Sequence, residues 1–396
     1  MISIFYISRI SFFSDKAHVY NVAKTCEALA ENSGVKVILV SADNSLKDED
    51  SRRIFFEKHG IKKKFDIISL DSFSNYFKKG RIRFVGWLEA ILSNLSLAAF
   101  TIKNRKKIDV LYFRENLVFL PIFMAKFFFR KPVFFEIHAV LHRKFSQFLN
   151  EYLAKISDGV IAISRALKDY YEKFNKNAIV SFCAAAEPER FSGITESKME
   201  LREKLNLPQD KIILGYAGNL WRTGNNDPYG LEDIIGALPF LDERIIFVGV
   251  GRKRDETKEL EELAEKLGVL KRVWFLPWVS KNEIARYILA FDILLIPAAG
   301  AQIGNSPTKM FEYLVSARPV VAANTQAISE VLRDGKNALL VDYKNPKAWT
   351  EAINRVLKDK ELAQTLVKRA LADAGLYSWR KRGKDIFLFM QKTIKK

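Results

Sequence analysis

The feature of this sequence that most restricts its fold is an alternation of short β-rich runs with segments of helical periodicity along most of its 396 residues. Such an alternation is typical of parallel sheets built from βαβ units. In the first half six strands are predicted, at 2–7, 35–41, 66–70, 109–113, 132–137 and 159–164. In the second half six more are predicted, at 212–217, 244–250, 272–276, 292–297, 319–323 and 338–342.

Two series of this kind, in a chain too long for one small core, predict an α/β protein with two doubly wound, Rossmann-like domains. Residues 184–210 have little strand pattern, so we place the domain boundary there. The predicted organisation is an N-terminal domain at 1–185, a second domain at 186–376, and an amphipathic C-terminal helix at 377–396.

Composition excludes several classes of protein. Hydrophobic residues make up 48% of the chain and charged residues 28%, which is too apolar for a mainly disordered chain. Cys26 and Cys183 form neither a disulfide framework nor a Cys-x-x-Cys zinc motif, so a reducing compartment fits. Cys26 also lies on the apolar stripe of the first predicted helix, as a core thiol would.

The ends and apolar runs of the chain predict a cytoplasmic location. The segment MISIFYISRISFFSDK has no small-residue cleavage pattern, so we interpret it as a first strand and expect the mature chain to start at Met1. No window reaches the roughly 18 uncharged apolar residues of a membrane span.

The charge of +18, from 64 basic and 46 acidic residues, favours an anionic partner such as nucleic acid, an anionic lipid surface or a phosphorylated substrate. Twelve Lys or Arg residues lie between Tyr76 and Pro132 against three acidic residues, and Phe and Trp side chains are interleaved with them. This pattern suits peripheral docking on the inner face of an anionic membrane. The alternative is a solvated basic rim around core aromatics.

The strongest local motif is the segment AAGAQIGNSPTKMFEYLVSARPVVAAN after strand 292–297. A Gly-rich loop leads into Ser306 as N-cap, Pro307 at the first helical position and Thr308, and the predicted helix continues to about Ala317. Free backbone N–H groups at such a helix start can hold a diphosphate. In the first turns, Lys309 adds a positive charge and Glu312 a carboxylate that can accept hydrogen bonds from a ribose diol.

The segment SPTKMFEYLVSARPVVA resembles the nucleotide-sugar motif of family 4 glycosyltransferases, retaining enzymes of the GT-B fold, in a branch with Pro-x-Lys-x-x-Glu-Tyr. The segments RKPVFFEIHAV and DGVIAISRALKDYY are similar to those that bring an active-site histidine and a Ser-capped helix into the cleft. The resemblance implies two domains facing each other across a cleft, a C-terminal helix that returns to the first domain with Trp379 at its start, and a nucleotide-diphosphate sugar as donor with no further cofactor.

Relative to the family motif, several positions differ. Counting back eight positions from Glu312, where the family has its first glutamate, gives Gly304. In the loop GYAGNLWRTGNNDPYG, Asn219 follows Gly218 at the place of a usual Arg, and Gly224 lies near the place of a usual Lys. Arg222 and Lys309 are the nearest basic replacements for the diphosphate. Gly249, at the end of a predicted strand, is a candidate for a phosphate or base contact.

His138 is the candidate catalytic residue, because it follows directly on the strand PVFFEI and so projects at that strand's carboxyl end. A neutral imidazole there can donate a hydrogen bond to a sugar hydroxyl or to charge developing on the donor. A structural loop histidine is the alternative, and a zinc site with Glu136 and His142 lacks a clear third ligand.

These features predict a retaining, hexosyl-transferring glycosyltransferase that acts on a glycan or lipid-linked acceptor. No Asp-x-Asp motif at a strand end calls for a metal. Two alternatives stay open, namely a nucleotide-sugar 2-epimerase of the same architecture and a non-catalytic basic protein that binds nucleic acid or another anion. We expect no nucleic-acid partner, since no recognition motif for one is visible.

Overall fold

The computed structural model describes residues 1–14, 17–71, 83–115, 118–141, 143–182, 185–220, 227, 229–252, 257–297 and 308–395. The chain divides into two compact units. Unit 1 comprises Met1–Cys183 together with Trp379–Lys396, and unit 2 comprises Ala184–Ser378. Unit 2 is thus an insertion in the sequence of unit 1.

Unit 1 contains a parallel sheet of seven strands among the described residues, in the order β3-β2-β1-β4-β5-β6-β7. The strands are β1 Ile2–Ser8, β2 Val35–Ser41, β3 Asp66–Ser69, β4 Val110–Phe113, β5 Val133–Ile137, β6 Gly159–Ala162 and β7 Ala178–Val180. The helices are α1 Ala17–Ala30, α2 Glu49–Lys58, α3 Arg83–Asn104, α4 Phe119–Phe123 with a π-helical turn at Met124–Phe128, α5 Lys144–Ile156, α6 Arg165–Tyr171 and, from the end of the chain, α16 Trp379–Ile394.

Unit 2 contains a second parallel sheet of six described strands in the order β10-β9-β8-β11-β12-β13. The strands are β8 Ile212–Ala217, β9 Ile245–Arg252, β10 Val273–Pro277, β11 Ile293–Ile296, β12 Val320–Ala323 and β13 Leu339–Val341. The helices are α7 Pro188–Ser192, α8 Lys198–Lys204, α9 Leu231–Ala237, α10 Lys258–Lys266, α11 Lys281–Ala290, α12 Lys309–Leu314, α13 Gln326–Ser329, α14 Pro346–Lys358 and α15 Lys360–Ala374. Short 3₁₀ turns occur at Asn44–Leu46, Leu238–Phe240, Leu270–Arg272 and Gly375–Tyr377.

Both sheets are doubly wound, and the twelve strands predicted from the sequence are all present. In each unit the strand order reverses beside the first strand, between β1 and β4 and between β8 and β11. Ligands of open α/β sheets bind outside the carboxyl ends of the strands at such a reversal. The residues that follow β1, β4 and β8 are therefore the first place to look for chemistry.

The helices of unit 1 cover its sheet with two separate apolar layers. One layer contains α1 and the C-terminal helix α16, with Cys26 and Ile386 fully buried in it. In α16, Gly383 allows the close approach, because a Cβ there would lie 2.2 Å from the carbonyl oxygen of Ala28. The other layer contains α4 and α5. The residues that the structure describes include no helix long and apolar enough to cross a membrane.

Local sequence determines how several helices begin. The hydroxyl of Ser164 accepts a hydrogen bond from the backbone N–H of Leu167 and so caps α6. Ser280 and Glu283 form a reciprocal capping box at the start of α11. In the acidic run at 48–50, Asp48 caps α2 by accepting from the backbone N–H of Ser51. That run is a helix start on the surface.

Candidate functional site

The carboxyl end of β5 carries a buried carboxylate, Glu136, and a partly exposed imidazole, His138. Because the two residues are separated by one position in extended backbone, their side chains lie on the same side of the sheet. The Glu136 side chain is 2% exposed and that of His138 is 21% exposed. His138 Nε2 lies 2.6 Å from Glu136 Oε1. The catalytic candidate is therefore held by a carboxylate beneath it.

Glu136 is held in its ionised form by a cation. Arg382 Nη2 donates to Glu136 Oε2 at 2.7 Å, and the Tyr112 hydroxyl donates to the same oxygen. Burial opposes ionisation of Glu136, but the charge of Arg382 and the hydrogen bond from His138 outweigh it, so the pKa of Glu136 lies well below its usual value. Burial and the neighbouring carboxylate raise the pKa of Tyr112 well above 10. Glu136 is thus an anion and Tyr112 a neutral donor.

Arg382 comes from α16, 246 positions along the chain from Glu136, and its side chain is 4% exposed. Its Nη1 donates to the carbonyl oxygen of Ser181 at 2.7 Å and to that of Phe182 at 2.8 Å, and its Nε lies 3.4 Å from the Thr25 hydroxyl oxygen. Sequence reasoning did not find Arg382. The available signal was its position on the apolar stripe of α16, three residues after Trp379 and four before Ile386.

The partners of His138 determine its tautomer. Arg114 Nη2 lies 3.4 Å from His138 Nδ1, and since a guanidinium only donates, Nδ1 accepts and the ring proton resides on Nε2. Burial and the positive charge of Arg114 lower the pKa of His138 to about 4. At neutral pH the imidazole is therefore uncharged, as the sequence interpretation required, but its N–H is directed at Glu136. The other ring nitrogen, Nδ1, is a hydrogen-bond acceptor, and its contact with Arg114 is the longer of the two at 3.4 Å.

Arg114 and Glu115 follow β4 at the strand reversal of unit 1. Arg114 Nη1 lies 3.5 Å from the carbonyl oxygen of His18, and Arg114 Nε lies 3.5 Å from Glu115 Oε1. The hydroxyl of Ser8, the last residue of β1, lies 2.9 and 3.0 Å from the two carboxylate oxygens of Glu115. Burial raises the pKa of Glu115, although Arg114 opposes the shift. From the sequence alone, Arg114 stands out only as one of the twelve basic residues between Tyr76 and Pro132.

In unit 2 a partly buried lysine of α12, Lys309, lies at the carboxyl end of β8. Lys309 Nζ lies 3.7 Å above the centre of the Tyr216 ring, a cation–π arrangement. Burial lowers the pKa of Lys309 to about 7, although Glu312 opposes the shift. The ammonium lies against the backbone turn at Gly218, where a Cβ would come within 2.7 Å of Nζ. A lysine in this state gains charge readily when an anion arrives beside it.

Two glycines shape the turn below Lys309. Gly218 has φ +153° and Gly251 has φ +137°, values that side-chain-bearing residues rarely adopt. A Cβ on Gly251 would lie 2.1 Å from the carbonyl oxygen of Gly218. The loops after β8 and at the end of β9 thus touch through their backbones. Gly249, by contrast, lies inside β9. A Cβ added to it would lie 2.7 Å from the Leu220 side chain, so this glycine allows Leu220 to pack against the strand.

Glu312 lies one helical turn after Lys309 and is anchored by an arginine. Arg190 Nη1 donates to Glu312 Oε1 at 3.1 Å, and Arg190 Nη2 also pairs with Glu187. The side chain of Glu312 is 18% exposed and that of Arg190 is 12% exposed. A carboxylate accepts up to about four hydrogen bonds, so the bond from Arg190 fixes the group without using its capacity. Arg190 was not among the predicted site residues.

The remaining predicted positions divide into two groups. Thr308 precedes α12 with helical backbone angles and makes no side-chain cap, and Asn219 Nδ2 donates to the Tyr229 hydroxyl at 2.8 Å. Outside the described residues lie Gly304, Ser306, Pro307 and Arg222, together with Gly224 and His142. In the described ranges, no group of three or more His, Cys, Asp or Glu side chains could hold a metal ion.

Part of the chain matches a known protein family. Residues 197–373 match the family of glycosyl transferases group 1. The D-inositol 3-phosphate glycosyltransferase of Corynebacterium urealyticum is 29% identical over 219 residues, which are 54% of this chain and 50% of that protein. The enzyme of that name from a Nocardioides species is 29% identical over 196 residues, 46% of this chain and 42% of its own length. The chain thus aligns with about half the length of these relatives.

Solved structures show the fold over the whole chain. Sucrose-phosphate synthase from Thermosynechococcus elongatus superposes with a TM-score of 0.76 at 18% identity, covering 100% of both chains. Anabaena HepE in complex with UDP and glucose superposes with a TM-score of 0.74 at 18% identity, covering 99% of this chain and 100% of that one. With the two doubly wound sheets, these likenesses confirm the predicted GT-B fold class. The segment that matches the glycosyl transferases group 1 family, residues 197–373, includes Lys309 and Glu312.

Proposed function

We propose that this chain is a retaining glycosyltransferase that takes a hexose from a nucleotide-diphosphate sugar and gives it to a glycan or lipid-linked acceptor. The observation that carries the proposal is the position of Lys309, whose ammonium lies over the Tyr216 ring at the carboxyl end of β8 and has a pKa of about 7, inside the segment that matches the family. The family match favours this activity over the alternatives of a 2-epimerase and an anion-binding protein.

In the proposed reaction the bond between the anomeric carbon and the diphosphate oxygen breaks, and a bond from that carbon to an acceptor hydroxyl oxygen forms. The acceptor's proton leaves with the diphosphate. As the bond to the anomeric carbon breaks, and before this proton arrives, negative charge grows on the leaving diphosphate, where Lys309 stabilises it most strongly in the transition state. Glu312, fixed by Arg190, accepts hydrogen bonds from the ribose hydroxyls. These roles need only side chains of unit 2.

For unit 1 we propose that His138 and Arg114 bind either the transferred sugar or the acceptor that receives it. The Nδ1 atom of His138 accepts a hydrogen bond from a substrate hydroxyl when its 3.4 Å contact with Arg114 is broken. The guanidinium then offers charge to a phosphate or diphosphate group. The proposed location is cytoplasmic, since nucleotide sugars are the donors.

The first experiment is a thermal-shift screen with UDP-, GDP-, ADP- and CMP-sugars, because a ligand that binds the native state raises its apparent stability. One class of nucleotide sugar is expected to raise the melting temperature, and mass spectrometry then follows transfer to candidate acceptors. NMR of the anomeric proton of the product distinguishes retention from inversion. If no nucleotide sugar shifts the melting temperature or binds by calorimetry, the proposal fails.

Variants of the two unit 2 residues sharpen this test. Glu312→Gln is expected to weaken nucleotide binding by about 1 to 3 kcal/mol, the range for a lost charged hydrogen bond. Lys309→Met is expected to weaken the diphosphate form more than the free nucleoside. Glu351→Gln and Lys347→Met, at exposed positions of α14, are the matched controls. Equal losses for diphosphate and nucleoside in Lys309→Met would remove Lys309 from the diphosphate site.

A further inference from the structure

Helix α5 has two apolar faces. Its inner face buries Leu153 and Ala154 against the sheet of unit 1. On the opposite side Phe145, Phe148 and Tyr152 recur at i, i+3 and i+7 and are 77%, 63% and 39% exposed. A surface helix needs one apolar stripe to pack on its own protein. The second stripe is available to a partner.

The neighbouring segment extends this stripe into a larger surface. Phe119, Phe123, Phe127 and Phe128 of α4 and its π-helical turn are between 39% and 69% exposed. This segment and α5 cover the same side of the sheet over adjacent strands, and Lys126 forms a 2.7 Å ion pair with Asp158, two residues after the end of α5. We call these seven side chains the aromatic surface: Phe119, Phe123, Phe127, Phe128, Phe145, Phe148 and Tyr152.

The charges around the aromatic surface are almost all positive. Exposed basic side chains flank it at the end of α3 and directly after it, after α4, and on α5 or directly before it: Lys103, Arg105, Lys106, Lys107, Arg130, Arg143, Lys144 and Lys155. Among the described residues of 103–158, which supply these basic side chains, the acidic residues are Asp109, Glu115, Glu136, Glu151 and Asp158, and of these Asp109 is exposed. Glu136 is buried, Glu151 accepts from Tyr170 and Asp158 pairs with Lys126.

We propose that the aromatic surface docks unit 1 on an anionic lipid bilayer, with its rings at the level of the headgroups and the flanking basic side chains on lipid phosphates. Exposed aromatics surrounded by Lys and Arg are the chemistry that binds such an interface. A second copy of the chain fits less well, because two such surfaces would bring like charges together in a protein of net charge +18. The surface differs from the sequence prediction, which was centred on 76–132 and did not include α5.

Docking through α5 would act on the candidate site. The backbone N–H of Leu141 donates to Gln147 Oε1 of α5 at 2.7 Å, so the loop after His138 is tied to this helix. A docked α5 presents a membrane-embedded acceptor to the edge that carries His138. This last step rests on the proposed function, whereas lipid binding itself does not.

The test is sedimentation of the full chain with vesicles, measured without any sugar donor. Vesicles of phosphatidylcholine with one quarter phosphatidylglycerol are compared with phosphatidylcholine alone, at 0.01 M and 0.15 M salt. Binding is expected with the anionic vesicles and should weaken as the Debye length falls from about 30 Å to about 8 Å. Equal binding to both vesicle types, or none to the anionic ones at 0.01 M salt, would overturn the proposal.

Variants test the surface itself. Replacing Phe145, Phe148 and Tyr152 together by Ser is expected to lower the vesicle partition coefficient at least roughly tenfold, and replacing all three by Leu should restore most of it. The exchanges Arg105→Glu, Lys106→Glu and Lys107→Glu should weaken binding most at low salt. In unit 2, Phe240→Ser with Trp278→Ser is the control, since both side chains are more than half exposed.

The controls keep the outcomes separate. All variants should retain wild-type melting temperatures within a few degrees, which shows that they fold. A dimer in sedimentation velocity that the Ser variants abolish would assign the surface to a second copy and overturn lipid docking. Failure of glycosyl transfer with intact vesicle binding would contradict only the proposed function. Glycosyl transfer without vesicle binding would contradict only the docking.

Discussion

At the scale of single residues, unit 1 places a neutral imidazole between an anion and a cation. Glu136 accepts a hydrogen bond from the Nε2–H group of His138, and Arg114 lies at Nδ1. Glu136 is in turn neutralised by Arg382. The arrangement fixes the ring and its tautomer before a substrate arrives, which avoids a cost of ordering during the reaction.

Replacing His138 separates chemistry from binding. In His138→Ala the transfer rate should fall at least roughly tenfold while donor affinity stays nearly unchanged, because the proposed contact strengthens only as the reaction proceeds. Single-turnover kinetics and calorimetric titration of the donor measure the two quantities. The exposed lysine variant Lys347→Met serves as the control. Turnover at the wild-type level in His138→Ala would make this histidine a structural loop residue.

The pKa of Lys309 predicts a pH dependence of donor binding. Below pH 7 the ammonium is charged with or without ligand, so affinity is at its maximum. Above pH 7 the free protein loses this proton, and a bound diphosphate must recover it, so affinity should fall by up to about tenfold per pH unit. Calorimetry of a nucleotide sugar at pH 8 in buffers of different ionisation enthalpy should show proton uptake. Uptake that persists in Lys309→Met would assign the proton to another group.

The sequence indicated some of these residues and not others. A predicted helix start indicated Lys309 and Glu312, and the end of a predicted strand indicated His138. Arg190 and Arg382 reach their carboxylates from 122 and 246 positions away, and no local pattern encodes such a pairing. Their roles as cationic partners of these carboxylates emerge only when the fold brings the elements together.

At the scale of elements, the strands were easier to predict than the ends of helices. Twelve of the thirteen described strands follow apolar runs, and β7 was missed because it has three residues of intermediate burial. The helix predicted from Ser306 to about Ala317 is described from Lys309 and ends at Leu314. Its end is fixed by backbone geometry, since Ala317 adopts φ +54°.

Helix α16 belongs to unit 1 although it follows unit 2 in sequence, and Arg382 is its main polar attachment. Arg382→Met should destabilise unit 1 by about 3 to 5 kcal/mol, because it leaves Glu136 as a buried charge without its cation. The double variant Arg382→Met, Glu136→Gln should recover part of this loss. Lys381→Met is the matched control, since it breaks only an exposed pair with Asp385 worth at most about 1 kcal/mol.

Denaturant unfolding monitored by calorimetry and circular dichroism gives these free energies. If Arg382→Met costs no more than Lys381→Met, the buried network does not hold α16. A readout beyond stability is the ¹⁵N NMR titration of His138, whose pKa should rise when the positive charge of Arg382 is removed, because that charge lowers it. The chain has four histidines, so the assignment is tractable.

At the scale of the whole molecule, the two units should respond to different ligands and to acid in different ways. Each unit has its own sheet and core. The donor groups of the proposed site lie in unit 2, whereas all four histidines lie before residue 183, in unit 1. Between about pH 6.5 and 4.5 histidine titration therefore acts on unit 1 alone.

The sign of the acid effect follows from His138. Above pH 6.5 its ring is neutral in both the folded and the unfolded chain, and stability is complete. As the pH falls below 6.5 the unfolded chain binds a proton that the folded one, with a pKa of about 4, does not, so unit 1 should lose on the order of 3 kcal/mol by pH 4. Scanning calorimetry should show a transition that moves down between pH 6.5 and 4.5 and another that a nucleotide sugar moves up. In His138→Gln, whose amide can still donate to Glu136 but does not titrate, the first transition should move less. An acid shift of equal size in His138→Gln would show that other groups cause it.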